Sequence, residues 1–476
     1  MSDLLLTWLT AFDWFVLAYF LVLNTSYLLL VLTAASDTTR ALRRPLGASH
    51  DDIFANPLTP PISVVVGAHD EEACIVESVR SILSLRYPHF EVVVVDDGST
   101  DGTFAVLAEA FDLREIPCDI DLDVPVVGEV RSMHEPARGE PLLVVRKANG
   151  GKADALNVGL NCARHPLVSC VDADSILEGD ALLQVAKPFV DDPDRVVASG
   201  GVIRAANGST VYRGQISGAQ LPRNWWARIQ IMEYLRSFLL GRTGWSRLGG
   251  LLIISGAFGL YRRDLLVEIG GFDATSVGED AEAVVAMHRL MRERRQPYRV
   301  VYVPEPVCWT EVPTTRAVLS RQRTRWSQGL AQVMWKHRRM IGNPRYGRIG
   351  LAAMPFYVAF ELLGPVIELV GFVAVIAGLH LGAVDTPFAL VFFLVAFLYG
   401  IALSIVALLV EEVSFHKYDR WRDVAVAVVA SVLENVGYRQ LHAWWRLRGL
   451  VCAVRRREAS WGVMTRAGFG TEAAKP

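Results

Sequence analysis

Residues 14–33, WFVLAYFLVLNTSYLLLVLT, run for about 20 positions without a charged side chain. At roughly 1.5 Å per residue a helix of that length spans about 30 Å, the depth of one bilayer core. Backbone in lipid must bond to itself, so the run dictates a helix and a chain organised around a membrane. The residues before it hold no Lys or Arg, and the run is too long for the core of a secretion signal. Arg40, Arg43 and Arg44 follow directly. The positive-inside rule then places the next region in the cytoplasm and the N-terminus outside.

Two further apolar runs, 355–379 and 387–410, are long enough to span. Their connection, 380–385, holds no Lys or Arg, whereas 411–423 carries Lys417, Arg420 and Arg422 and belongs on the cytoplasmic side. Residues 424–433 form a shorter apolar run, and Arg446, Arg448, Arg455, Arg456 and Arg457 come after it. A fourth full span would put those arginines outside, so 424–457 is expected as a re-entrant or interfacial helical hairpin. Glu361 and Glu368 lie two turns apart on one face of a span. Charges at that depth either line a channel or pair with an arginine of a neighbouring helix. The chain thus divides into an N-terminal membrane helix with a basic flank (1–44), a cytoplasmic domain (45–345) and a C-terminal membrane region with a basic tail (346–476). This is the plan of a multi-pass protein of the inner or plasma membrane. The formal net charge of −2 carries no basic excess, which argues against a nucleic-acid partner. The six cysteines show no CxxC spacing and read as reduced thiols.

Between the membrane regions, strand and helix patterns alternate. Strands are expected at 62–66, 91–95, 142–145 and 167–171, and helices at 71–85, 104–111 (with Asp101 as N-cap) and 153–163. Residues 45–61 read as a linker and 117–140 as an irregular insertion. Further on, helices are expected at 225–240 and 280–295, and strands at 251–254 and 299–304. The alternation predicts a doubly wound α/β domain with a mostly parallel sheet and ligands at the carboxyl ends of its strands.

The polar motifs fall at those ends. Asp172-Ala173-Asp174 can share a divalent cation, Mg²⁺ or Mn²⁺, with a diphosphate; taken alone, such a pair is more often a solvated loop. Asp96-Asp97-Gly98-Ser99 either turns a strand into a helix or binds a nucleotide. His69, positioned to stack on a base, and Glu71, positioned to accept from a ribose hydroxyl, stand next to it. Gly150-Gly151-Lys152 precedes a helix and suits a phosphate, through backbone N–H groups and the lysine charge, although it lacks the Walker spacing. Asp280, in Gly278-Glu279-Asp280, can act as general base or merely favour a helix start. In Gln322-Arg323-Thr324-Arg325-Trp326, Arg325 can clamp a leaving diphosphate and Trp326 can face a sugar, or the segment can be an interfacial helix held by Arg and Trp.

The ordered series DDGSTDGT, GGKADALN, DAD, GED and QRTRW, flanked by spans, resembles the membrane-embedded processive family 2 glycosyltransferases, which make cellulose, chitin oligosaccharides, hyaluronan and poly-N-acetylglucosamine. Ser255-Gly256-Ala257, Tyr261-Arg262-Arg263 and Val307-Cys308-Trp309 most resemble the poly-N-acetylglucosamine branch. Asp70 stands where that family usually has Asn, and Gly278 where it usually has Thr. The resemblance implies a GT-A fold on the cytoplasmic face. It implies that Ala68, His69, Glu71, Asp96, Asp97, Lys152 and Asp172 hold uridine diphosphate, and that Asp172 and Asp174 hold Mg²⁺ or Mn²⁺. Asp280 would deprotonate the acceptor hydroxyl, and Gln322, Arg325 and Trp326 would order the leaving group and acceptor. The implied reaction is inverting transfer from a UDP-sugar, N-acetylglucosamine before glucose, to a growing glycan exported across the membrane. The alternatives are transfer of one sugar to a lipid-linked acceptor and a non-catalytic scaffold. Membrane lipid and export or accessory proteins complete the implied partners.

Overall fold

The valine-rich runs at 62–66 and 91–95 form the middle of a ten-stranded sheet. The computed structural model describes residues 2–42, 46–212, 215–218, 220–415 and 421–456. The basic residues Arg43, Arg44, Lys417, Arg420 and Arg457 therefore lie outside the described residues.

In chain order the strands are β1 (Ile62–Ala68), β2 (Phe90–Asp96), β3 (Leu113–Ile116), β4 (Val130–Pro136), β5 (Leu142–Lys147), β6 (Leu167–Asp172), β7 (Ser175–Leu177), β8 (Val196–Ala205), β9 (Thr210–Tyr212), β10 (Gln215–Gly218), β11 (Phe258–Arg262) and β12 (Arg299–Thr310). The large sheet runs β3-β4-β5-β2-β1-β6-β11-β8-β12-β7, and β9 and β10 form a separate hairpin. β5, β2, β1 and β6 are mutually parallel, as are β8 and β12, while β11 runs against both of its neighbours. Period-2 alternation explains why β1 and β2 read as unbroken valine. Val64, Val66, Val92 and Val94 face one apolar layer with Ile75, Val79 and Ile82 of the Ile75–Leu83 helix. Val65, Val93 and Val95 face the opposite layer with Ala155 and Leu156 of the Lys152–Cys162 helix. Both faces are covered, so neither can be polar.

Several local expectations change in the folded chain. The linker at 45–61 contains a helix, Leu46–Ala55, anchored by Ile53 in the core and by an ion pair from Asp51 to Arg86. Packing supplies what a segment so short lacks by itself. The insertion at 117–140 contains β4, which adds antiparallel to β5. Residues 251–254 form no strand. Ile254 instead lies across β8, where a Cβ on Gly200 would meet its Cγ2 at 2.0 Å, and the ladder is taken by β11. Gly102, not Asp101, is the N-cap of the Thr103–Phe111 helix, although Asp101 Oδ1 accepts from Thr103 N at 2.9 Å.

His288 ties the 251–254 segment down. Its two ring nitrogens lie 2.8 Å from the Leu251 carbonyl and 2.8 Å from the Tyr298 hydroxyl. Burial, with Arg292 nearby, lowers its pKa from an ordinary 6.5 to about 4. The folded protein therefore favours the neutral ring. Above pH 6.5 both states are neutral and the contribution is complete; as pH falls toward 4 the unfolded ring protonates first, and roughly 3 kcal/mol of stability is lost. His288→Gln should flatten the decline in melting temperature between pH 6.5 and 4, and an unchanged slope would remove His288 from that account.

Among the described residues, three helices are long and apolar enough to cross a membrane: Leu6–Ala35, Gly364–Leu381 and Thr386–Glu412. The run expected from 355 breaks at Leu363 because Pro365, lacking an N–H, can sit only in the first turn of a new helix. A shorter apolar helical stretch, Ile349–Leu362, precedes it. Glu361 and Glu368 find arginine partners: Arg446 Nη2 lies 3.0 Å from Glu361 Oε2, and Arg439 Nε lies 2.8 Å from Glu368 Oε1. Of the two readings of those carboxylates, ion pairing is the one seen. The 424–457 stretch divides at Val436 and Gly437, whose φ of 91° only glycine adopts readily. Its second half, the Arg439–Val454 helix, lies along the Arg316–Lys336 helix, with Ser327 Oγ donating to Arg446 O at 2.8 Å.

Candidate active site

Four parallel strands end in one row at Lys147, Asp96, Ala68 and Asp172. Register aligns them: Ala68 opposes Asp96, Gly67 opposes Asp172, and Asp96 opposes Arg146. Three strand spacings make the row about 14 Å wide. The acidic pairs and the Gly-Gly-Lys loop stand on it.

At the β5 end, Asp97 anchors the glycine loop. Its carboxylate accepts from Gly150 N at 2.9 Å and Gly151 N at 2.8 Å, and also pairs with Lys147. Lys147 is fully buried and lies 2.8 Å from the equally buried Asp154. Burial pushes the Asp154 carboxyl up, but Lys147 and the N–H groups of Val127 and Gly128 outweigh it and hold the pKa below the usual range. The loop needs glycine here: a Cβ on Gly150 would stand 2.1 Å from Asp154 Oδ2, and Gly151 has a φ of 89°. Asp96 Oδ1 caps Ser99 N at 3.0 Å. His69 is partly exposed, with Nδ1 3.0 Å from the Asp97 carbonyl. Glu71 N donates to Thr103 Oγ1 at 2.8 Å, fixing the segment beside Ala68. Asp70 sits at φ 55° and accepts from Thr100 N at 2.7 Å, so a short acid serves in the place of the expected Asn.

At the β6 end, Lys152 crosses to Asp172 at 2.5 Å, to Glu279 at 3.3 Å and to the Gly256 carbonyl at 3.2 Å. Burial pushes the Lys152 pKa down, but Asp172 and Glu279 outweigh it and the net shift is upward, so this lysine stays cationic. Glu279 is buried; burial, with Asp280 and Asp172 close by, raises its pKa even against Lys152. Asp280 opens the Glu279–Glu293 helix and binds Ala281 N through one oxygen, at 2.8 Å. A Cβ on Gly256 would stand 2.9 Å from Lys152 Nζ and 3.5 Å from Asp280 Oδ2, so glycine keeps the two charges close. Asp174 is buried, with Thr310 Oγ1 within 3.5 Å of both its oxygens. Among the described residues no group of three or more His, Cys, Asp or Glu is placed to hold a metal ion.

The Arg316–Lys336 helix brings Arg325 to the same cluster. Gln322, Arg325 and Trp326 share one of its faces by their spacing of three and four residues. Burial pulls the Arg325 pKa down while Glu279, Asp172 and Asp280 oppose it, which places its charge against the same acidic cluster. Gln322 Oε1 is buried without a hydrogen-bond partner among the described residues. Trp326 is exposed, and the Arg323 guanidinium stacks 4.2 Å from its ring centroid. Arg323 is itself buried and held by Glu233 at 2.7 Å, and the Tyr438 hydroxyl donates to the same carboxylate at 2.9 Å.

Sequence reading missed Lys147, Asp154, Glu279, Arg323 and Glu233. The first three lie inside or beside motifs already singled out, where a lysine ending an apolar strand was the available signal. Arg323 stands in the motif itself, but its partner Glu233 is about 90 residues away, a separation no local pattern spans.

Residues 63–270 match the model for glycosyl transferase family 2, and residues 167–403 match that for glycosyl transferase family group 2. Poly-beta-1,6-N-acetyl-D-glucosamine synthase of Staphylococcus epidermidis is 28% identical over 273 residues, 57% of this chain and 55% of that protein. The synthase of the same name from Staphylococcus aureus (strain COL) is 26% identical over the same shares. The chain thus matches about half the length of these curated relatives. Among solved structures, the mannosyltransferase PcManGT from Pyrobaculum calidifontis, in complex with GDP-Man and Mn²⁺, is similar with a TM-score of 0.56 and 21% identity. It covers 93% of this chain and 100% of that one, and the likeness shows a shared fold.

Proposed function

The chain belongs to the family 2 glycosyltransferases, and from that premise we propose that it transfers a hexose, N-acetylglucosamine, from its UDP-sugar to a growing glycan, with inversion at the anomeric carbon. The observation that carries the reading is the convergence of Lys152, Asp172, Glu279, Asp280 and Arg325 at one end of the strand row. The glycine loop held by Asp97 stands at the other end. Nucleotide would lie along the row: the base by His69, Asp96 and Ala68, the ribose by Glu71, the diphosphate toward Lys152. The names of the staphylococcal relatives supply the sugar; they do not come from the geometry.

Asp172 and Asp174 fit a divalent cation of the Mg²⁺ or Mn²⁺ class. The donors are hard oxygens, the kind such ions prefer, and Asp172 already accepts one positive group, the Lys152 ammonium, at 2.5 Å. Two carboxylates do not complete a shell, so such an ion would take its remaining oxygens from diphosphate and water. When bound, it would supply charge neutralisation for the departing diphosphate.

The chain's own groups do the rest. Asp280 takes the proton of the acceptor hydroxyl, whose oxygen attacks the anomeric carbon opposite the diphosphate. The bond to the diphosphate oxygen breaks and UDP leaves with both bonding electrons. Lys152 and Arg325, cationic throughout, meet the charge that develops there. One displacement inverts the centre. Trp326 offers a flat face to the acceptor sugar, and Gln322 helps order the leaving group and acceptor. The catalytic domain faces the cytoplasm in a multi-pass arrangement, so the glycan grows beside the membrane helices and leaves between them.

Trp326→Ala tests the division of labour. Transfer to acceptor should fall about tenfold or more, 1.4 kcal/mol at the transition state, while UDP binding stays within about twofold. Isothermal titration with UDP and radiolabelled transfer assays read the two quantities. An equal loss of both would return Trp326 to a structural role. Sizing the product separates polymer from single-sugar lipid, and a product confined to the latter would defeat chain elongation.

A further inference from the structure

On the edge of the sheet opposite Asp172 lies a cleft of about 410 Å³. β12 begins there: Arg299 pairs with Val196 at the start of β8, and both strands run in the direction of β6. The Glu279–Glu293 helix, which opens in the active site, reaches this cleft at Arg292, about 18 Å from Asp280 by helical rise.

The lining is basic. Arg247, Arg292, Arg299 and Arg348 contribute four guanidinium groups, and no Asp or Glu is among the lining residues. Arg299 reaches Asp192 at 3.4 Å, outside the lining, and Arg348 reaches the Leu248 carbonyl, at 3.4 Å. Among the described residues, two buried polar groups of the lining have no hydrogen-bond partner: Arg292 Nε and Thr243 Oγ1. His288 lines the cleft with both nitrogens already engaged, so it adds no charge at neutral pH. A polar cavity lined by arginines, with donors left unmet, is complementary to a multiply hydrogen-bonding anion.

Its position identifies the source of that anion. Gly244, next to Thr243, packs against the backbone of Leu30 near the end of the first membrane helix; a Cβ there would stand 2.7 Å from Leu30 O. Arg348 directly precedes the apolar Ile349–Leu362 stretch. The cleft therefore opens where both membrane-associated segments meet the catalytic domain. We propose that it is a phosphate-binding site for the headgroup of an acidic phospholipid, with the phosphate held by Arg292 and Arg348 and by the Thr243 hydroxyl. The lipid would anchor the far end of the helix that carries Asp280. The proposal stands on this cleft alone and does not depend on the identity of the sugar.

The test uses full-length protein in neutral detergent, titrated with phosphatidylglycerol or phosphatidylcholine and read by native mass spectrometry. Wild type should bind phosphatidylglycerol at least about tenfold more tightly than phosphatidylcholine, the attraction falling with salt. R292Q/R348Q should lose that preference, and R292K/R348K, which keeps both charges, should retain most of it. Should the glutamine pair fail to fold, Thr243→Val, similar in volume, is read in the same way and should weaken phosphatidylglycerol binding severalfold. Phosphatidylglycerol binding unchanged in the charge-removing variant, or in Thr243→Val, overturns the site. Inorganic phosphate that displaces phosphatidylglycerol at equal concentration overturns the lipid as its source. UDP binding by the same variants should remain at the wild-type level.

Discussion

Asp280→Asn is expected to slow sugar transfer by roughly 10²–10⁴-fold, the range for losing a positioned general base, with UDP affinity unchanged. The side chain keeps its size and its bond to Ala281 N, so the opening turn of the helix should persist. What goes is the proposed proton acceptor. Glu279 is its neighbour and the competing candidate, and the structure separates the two. Glu279 is buried and 3.3 Å from Lys152, and its raised pKa reflects a carboxylate enclosed with other acids. Asp280 is only half-buried, and its Oδ2 lies 3.5 Å from where a Cβ on Gly256 would stand. Glu279→Gln should therefore disturb Lys152 and diphosphate affinity while leaving the proton step in place. Steady-state kinetics of both variants, alongside UDP titration, distinguish the roles. Full transfer by Asp280→Asn would dismiss the proposed mechanism, and a base-like loss in Glu279→Gln would reassign the proton to that residue.

The second large effect is on stability. Lys147→Met should lower the unfolding free energy by roughly 3–5 kcal/mol, the cost of breaking a buried ion pair by removing one partner. Lys147 has no exposed side-chain surface and stands between Asp97 and Asp154, both buried. Without the ammonium, two carboxylates face each other in the interior, and the Asp97 clamp on Gly150 and Gly151 loses its counter-charge. Lys147→Met/Asp154→Asn should recover part of the loss, because one of the two stranded charges is gone. Thermal unfolding of the three proteins reads the order. A Lys147→Met melting temperature equal to wild type would mean that the triad carries little energy. UDP binding should weaken in step with the melting temperature, since the same loop is involved.

How much of this was legible in the sequence depends on the range of each interaction. The central strands were legible because both faces of β1 and β2 are apolar, which leaves an unbroken valine run. Asp172, Asp174, Lys152 and Asp280 were legible as motifs because each stands at a strand end or helix start. The helix at Leu46–Ala55, strand β4 and the non-strand path of residues 251–254 were not. In each case a distant partner decides: Ile53 in the core, β5 beside β4, Gly200 beneath Ile254. Glu361 and Glu368 were ambiguous for the same reason, since their arginines come from a helix roughly 70–85 residues further on.

By itself the sequence determined that the chain has helices long and apolar enough to cross a membrane, the α/β alternation and the residue types at the strand ends, because periodicity and length are local properties of a chain. Only the tertiary structure decided which charges meet. It turned Asp97 inward to hold the glycine loop and set Lys152 between Asp172 and Glu279. It buried Arg323 on Glu233 beneath Trp326, and it gathered four arginines around a cleft at the far edge of the sheet. The physical reason is that electrostatic and hydrogen-bond energies depend on separations of a few ångströms in space, and residues far apart in the chain acquire those separations only when the layers pack.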